Sequence, residues 1–347
     1  MGQADYIRDI AKFGLENDQD NLLSTLSQLI EHSKKTKKIN FALQLQSLLK
    51  DSLRQHQVSG ITPIGSSKHI LREEDREIND FILEKVTSDY GFDNLICSEA
   101  TRDELKYFVE EHRQIDVLRS FQLPVGNKIL LYGPTGCGKT LASYVIAGEL
   151  NKMMYVVNLG AIVSSKLGET SKNLAKIFRK AASEDSIIFI DEFDSLGKVR
   201  DYSQDHGEMK RVVNTILQLF DYLSQTSVVI AATNQKEMLD SALVRRFDVA
   251  LELNLPTMNQ IEDLVNLTLR NEIFSFDKPS SLKSILSECL GLSFYSIQKT
   301  LITAIKRSLI SSSRGGTVNV KPIISTKLWK NLIASEKQAL NVLNSES

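Results

Sequence analysis

Apolar residues recur at helical spacing from Ala4 to about Gln55: Ile7, Ile10 and Ala11, then Leu22, Leu23, Leu26, Leu29 and Ile30, then Ile39, Ala42, Leu45, Leu48, Leu49 and Leu53. Polar stretches at Asn17 to Asp20 and Lys34 to Lys38 interrupt the pattern twice, so residues 1–55 are predicted to close as a three-helix bundle. Residues 56–73 contain Gly60, Pro63, Gly65, Ser66 and Ser67 and have the composition of a linker. After a helix expected around Glu74 to Val86, the pattern changes. Short apolar runs, Lys128 to Tyr132, Met154 to Leu159, Ile187 to Ile190, Val228 to Ala232 and Ala250 to Leu253, alternate with helical stretches. Runs that are apolar on both faces and separated by helices predict a parallel five-stranded sheet covered on both sides, an α/β fold over residues 74–256. Thr257 and Gln260 have capping-box spacing, and residues 257–347 read as helices only, a lid following the sheet.

The chemistry is concentrated at the ends of the predicted strands. GPTGCGKT places Gly133, Gly138, Lys139 and Thr140 at P-loop spacing, directly after one strand and before a helix. That context predicts a P-loop NTPase sheet. Backbone N–H groups of Gly133, Thr135, Gly136, Cys137 and Gly138, in a loop that Pro134 shapes without donating, together with Thr140 and Leu141 at the helix start, would surround a phosphate chain; Lys139 would reach its β and γ phosphates, and Thr140 would ligate Mg²⁺. In SIIFIDEFDSL, Asp191 and Glu192 end a strand where such sheets bind ligands. Asp191 is expected in the metal shell and Glu192 as the base that activates water, while Asp194 reads as a helix N-cap. Asn234 ends a further buried strand and would set an amide beside the same water. Arg245 and Arg246 are either surface charges or the charge-neutralising arginines that phosphoryl chemistry takes from a neighbour.

Composition limits the partners. The formal net charge is −1, which gives no long-range attraction to nucleic acid or an anionic membrane. No apolar run approaches the roughly 20 residues of a membrane span. The three cysteines, Cys97, Cys137 and Cys289, match no metal-ligand spacing, and the first residues lack signal-peptide order, so a reduced, cytoplasmic protein is expected. No peptidase motif is found.

The order GPTGCGKT, IIFIDEFD, AATN, LDSALVRRFD resembles the AAA family of ring-forming ATPases over roughly Phe92 to Ser312. The resemblance implies Mg²⁺-dependent ATP hydrolysis by a homohexamer, nucleotide held between subunits, and Arg245 and Arg246 acting on the neighbour's ATP. The arginine doublet lacks the Pro-Gly insertion of many AAA proteins and is closer to the katanin and spastin group, which also carries an amino-terminal three-helix module. A narrower resemblance is to bacterial single-ring AAA ATPases with a short helical amino-terminal domain, often encoded beside a subtilisin-like serine peptidase. It implies a protein partner held by the amino-terminal bundle and the pore. The alternative is a nucleotide-dependent binding switch or scaffold with slow turnover.

Two segments depart from the family. The pore triad, aromatic-hydrophobic-glycine in AAA motors, aligns with Lys166, Leu167 and Gly168, so it is either an adapted pore loop or a solvated one. Tyr202 and His206 would belong to a second pore segment, and Arg211 and Asn214 match the family's subunit-contact helix. Where AAA lids have Gly-Ala near the adenine, this chain has Phe294 and Tyr295. They stack beside the base or are core aromatics; Ile96 and Tyr295 are the expected walls of the base pocket.

Overall fold

The computed structural model describes residues 3–15, 19–35, 41–42, 45, 81–157, 159, 169–195, 206–269, 274–313 and 323–345. Two amino-terminal helices, α1 (Gln3–Leu15) and α2 (Gln19–Lys35), pack on one another, with the Tyr6 and His32 rings tilted against each other at 5.5 Å and with Leu29 and Ile30 buried. Of the third expected helix, only Phe41, Ala42 and Leu45 are described, as helical. The expected linker, residues 56–73, lies outside the described residues.

The sheet is formed by β1 (Ile82–Val86), β2 (Lys128–Tyr132), β3 (Met154–Val157), β4 (Ile187–Ile190), β5 (Val228–Thr233) and β6 (Val249–Glu252). Their spatial order is β1-β3-β4-β5-β2-β6. The five strands from β2 to β6 are parallel, as their double-sided apolar pattern predicts. Alternate residues of each strand point to opposite faces. Leu130, Ile188, Ile190, Val229 and Ala231 pack under α6 (Glu169–Glu184) and α7 (His206–Asp221). Ile129, Leu131, Phe189, Ile230 and Ala232 pack under α3 (Glu99–Arg113) and α5 (Lys139–Leu150). A short α4 (Ile115–Ser120) follows α3, and α8 (Ser241–Val244) precedes β6.

Strand β1 corrects the helix expected around Glu74 to Val86. Residues 82–86 pair antiparallel with β3, from Ile82 opposite Val157 to Val86 opposite Met154, with an irregularity between Ile82 and Glu84. Apolar Ile82, Leu83 and Val86 suit a helix face equally well. The decision comes from β3, whose outer edge would otherwise present unpaired N–H and C=O groups.

After Pro256, the Thr257 N–H donates to Gln260 Oε1 (2.9 Å) and the Gln260 N–H to Thr257 Oγ1 (3.5 Å), the expected capping box at the start of α9 (Met258–Leu269). The lid continues with α10 (Leu282–Glu288), α11 (Phe294–Ser313) and α12 (Thr326–Ser345), packed around fully buried Trp329. The helices-only expectation is corrected by a two-residue parallel pair, β7 (Ser275–Phe276) with β8 (Ile323–Ile324). Next to it, the Asp277 carboxylate accepts the Thr326 N–H at the start of α12 (2.9 Å). Two residues are too few to show a period. Among the described residues, no helix is long and apolar enough to cross a membrane.

Two consequences are measurable. Gly148 lies inside α5, and a Cβ there would sit 2.1 Å from the Tyr90 carbonyl oxygen. Gly148→Ala is therefore expected to lower the urea midpoint by the equivalent of ~2 kcal/mol, although alanine is the better helix former by ~1 kcal/mol. His112 is buried against Phe108 and donates from Nε2 to the Gly126 carbonyl (2.9 Å). Burial, reinforced by the Lys152 charge, lowers its pKa from 6.5 to about 4. The unfolded chain binds this proton first, so the contribution is complete above pH 6.5 and is lost as pH falls toward 4, by ~3 kcal/mol. Urea titrations of His112→Gln should lack that part of the acid slope.

Candidate nucleotide site

The carboxyl ends of β2, β4 and β5 form one edge, because β5 hydrogen-bonds to both of the others. From β2, the chain enters the glycine loop with φ of 133°, 76° and 91° at Gly133, Gly136 and Gly138, then starts α5 at Lys139. Positive φ turns the amides inward at a helix amino terminus, a cradle suited to anions. Pro134 and Thr135 are exposed, whereas Cys137 and Lys139 are buried. The Lys139 ammonium donates to the carbonyls of Gly133 (2.8 Å) and Pro134 (2.9 Å). Burial lowers its pKa, with Cys137, Asp191 and Asp194 acting in the opposite direction.

Thr140 and Asp191 meet, the threonine hydroxyl donating to Asp191 Oδ2 at 3.3 Å. The other Asp191 oxygen accepts the Glu192 N–H (2.8 Å). Glu192 itself is exposed and has φ of 50°, a left-handed conformation that a non-glycine residue rarely adopts. It is maintained by the next residue: the Phe193 N–H bonds to the Ala232 carbonyl of β5 (2.8 Å), and the Phe193 ring is fully buried. Such a conformation, imposed by its surroundings, belongs with functional positions. Asp194 is buried and accepts from Thr233 Oγ1 (3.0 Å), which ties the ends of β4 and β5. Asn234 follows on the same edge with its side chain exposed.

Arg245 and Arg246 follow α8, whose start is capped by Asp240. Both are exposed. Arg246 pairs with Asp221 at the end of α7, and the next residue, Phe247, anchors the segment edge-on against Phe193 and Phe220. Arg245 has no hydrogen-bond or ion-pair partner among the described residues. Neither guanidinium bonds there to the glycine loop, Asp191 or Glu192.

A cavity of about 180 Å³ lies beside the loop, between the sheet edge and the lid, with Ile96, Cys97, Cys137, Leu253, Gln260 and Phe294 among its walls. Ile96, expected to wall a base pocket, lines this cavity. Tyr295 is 64% exposed and does not line this cavity. Its backbone N–H instead bonds to the Gly136 carbonyl (3.1 Å), and a Cβ on Gly136 would lie 2.7 Å from Ser293 Oγ. Phe294 takes the wall position, since α11 starts there and turns that side chain inward. The sequence signal for these walls is weak: Cys97 is one residue beyond Ile96, and Leu253 reads only as the last residue of an apolar strand run. Lys166, Leu167, Gly168 and Tyr202 lie outside the described residues. His206 and Arg211 are on α7, where only their backbone is described, and Asn214 is exposed on that helix.

The sequence model of the "ATPase family associated with various cellular activities (AAA)" matches residues 129–255, from β2 to just beyond β6. The chain is 36% identical over 231 residues to the "Uncharacterized AAA family ATPase y4kL" of Sinorhizobium fredii, covering 67% of this chain and 68% of that one. It is 33% identical to a "Putative 26S proteasome regulatory subunit homolog" of Methanocaldococcus jannaschii, over 52% of this chain and 50% of that protein. It is 31% identical to "ATP-dependent zinc metalloprotease FtsH 3" of Sphaerobacter thermophilus, over 62% of this chain and 44% of the other. The crystal structure of the FIGL-1 AAA domain superposes with a TM-score of 0.60 at 20% identity, covering 79% of this chain and 95% of that one, and so shares the fold. With a glycine loop, an acidic strand end and a relative aligned along two thirds of both chains, this protein belongs to the AAA family and is an ATPase.

Proposed function

We propose that the chain hydrolyses ATP with Mg²⁺ at a site completed by a second copy, in a homohexameric ring that uses turnover to remodel or regulate a protein partner. One observation carries the shared site: the arginine doublet is exposed, and among the described residues it makes no bond to its own loop or acidic pair. In this reading, ATP phosphates replace the Gly133 and Pro134 carbonyls as partners of Lys139, and the loop from Gly133 to Leu141 wraps them. The base occupies the cavity walled by Ile96 and Phe294. Glu192 removes a proton from water as its oxygen attacks the γ phosphorus, Asn234 orients that water, and ADP leaves from the far side. The neighbour's Arg245 and Arg246 offset the charge that develops on the γ-phosphoryl oxygens.

Thr140 and Asp191 are hard oxygen donors already within 3.3 Å of each other, a set suited to Mg²⁺ held by one carboxylate and substrate phosphates. The ion would supply charge neutralisation between the β and γ phosphates.

A protein object is supported by relatives named as a proteasome regulatory subunit homolog and an ATP-dependent metalloprotease. The amino-terminal residues 1–55 are the proposed holding module, residues 257–347 the lid, and a subtilisin-like serine peptidase the first partner to try. The proposed setting is the cytoplasm, in keeping with three unpaired cysteines. Lys166, in place of a pore aromatic, favours a second reading, a binding switch that does not thread its partner.

Phosphate-release assays should show Glu192→Gln slowed by ~10² or more while ATP binding is kept. Arg245→Ala should be slowed by ~10³, yet a mixture of these two variants should regain turnover that neither has alone, because some interfaces then pair an intact Glu192 with an intact Arg245. A mixture as inactive as its parents would remove the shared site. Lys166→Ala with unchanged ATPase and unchanged partner remodelling would support the non-threading reading.

A further inference from the structure

Asn234 is on a turn that neither a strand nor a helix holds, yet an amide that orients water works only within hydrogen-bond reach of it. The residue two positions on is anchored in an unusual way. Lys236 Nζ lies 3.9 Å from the centroid of the Tyr132 ring. The other ammonium–aromatic pairs among the described residues, at Lys12, Lys85 and Lys106, are looser, at 5.9, 5.4 and 5.9 Å. Lys236 is half-buried and makes no ion pair among the described residues. A long side chain that gives up rotamer freedom and most of its water in order to sit on a ring is not an ordinary surface lysine.

The ring is at a decisive place. Tyr132 is the last residue of β2, adjacent in sequence to Gly133 of the glycine loop, and is in register with Thr233 of β5. Thr233 is fixed in turn, its hydroxyl donating to buried Asp194 (3.0 Å) and accepting the Gln235 N–H (3.0 Å). The turn carrying Asn234 is therefore clamped at both ends, at Thr233 by a buried carboxylate and at Lys236 by the Tyr132 ring.

We propose that Lys236 is a positioning residue for hydrolysis: seated on Tyr132, it holds the Asn234 turn against the root of the glycine loop. The role proposed above for Asn234 underlies this inference. Lys236 touches neither water nor phosphate in this arrangement, so its removal reduces turnover and leaves nucleotide affinity alone.

The test uses the full chain, with kcat and KM from phosphate release, ATP affinity from titration and the urea midpoint of each variant. Lys236→Met, which keeps the stem and loses the charge, is expected to lower kcat about tenfold, the rate equivalent of an ordinary cation–π contact, with KM and affinity unchanged and the urea midpoint only slightly lowered. Lys236→Arg restores the rate. Tyr132→Phe keeps the ring and behaves as wild type, Tyr132→Leu reproduces the loss, and combining it with Lys236→Met adds little. A wild-type kcat in Lys236→Met, a loss appearing in KM or affinity instead, failure of arginine to rescue, or simple additivity with Tyr132→Leu would each overturn the proposal. Asn234→Ala separates the two levels. If it is slow while Lys236→Met is not, only the clamp is wrong; if it turns over normally, the role of Asn234 fails and the clamp with it.

Discussion

The site depends on the backbone ladder that inserts β5 between β4 and β2. Chain order alone would set these strands far apart, with β3, β4 and, among the described residues, α5, α6 and α7 lying between the glycine loop and Val228. Six fully buried residues, Val228 to Thr233, satisfy their hydrogen bonds on one side with Ile187 to Ile190 and on the other with Lys128 to Tyr132. Parallel pairing in register leaves all three carboxyl ends at one edge, where the loops leaving them must meet. The acidic pair, Asn234 and the glycine loop are neighbours for that reason.

The unusual backbone of Glu192 follows from the same insertion. Phe193 is drawn inward by its bond to Ala232 and by its fully buried ring, which leaves Glu192 to take up the turn with positive φ. Phe193 in turn meets Phe247 edge-on, and Phe247 follows the arginine doublet. One aromatic contact thus sets where the acidic segment and the arginine segment leave the core. The lid is attached at a different point, where Tyr295 donates to Gly136 and closes the cavity with Phe294. A side chain at Gly136 would prevent that approach, so this glycine provides for the lid as well as for the loop.

Much of this was legible in the sequence because its signals are local. Double-sided apolar runs marked β2 to β6 within a residue or two, and Thr257 with Gln260 marked the start of α9. The glycine spacing and the acidic strand end named their chemistry directly. Strand β1 was not legible, since Ile82, Leu83 and Val86 fit a helix and only the open edge of β3, distant in the chain, selects a strand. The exchange of Tyr295 for Phe294 is a matter of rotation: both begin α11, and which one faces the cavity depends on how that helix docks against Gly136. Lys236 gave no signal at all, because its partner is a ring about a hundred residues upstream.

The sequence by itself determined the five parallel strands, the glycine loop after the first of them and the acidic pair at a strand end, because backbone propensity and short-range spacing are written in consecutive residues. Tertiary structure alone decided which side chains wall the cavity, that Lys236 sits on the Tyr132 ring, and that among the described residues the arginines make no bond to their own loop. Those outcomes depend on register, edge satisfaction and helix docking between residues far apart in the chain, where sterics and hydrogen bonding choose among alternatives that local pattern leaves equal.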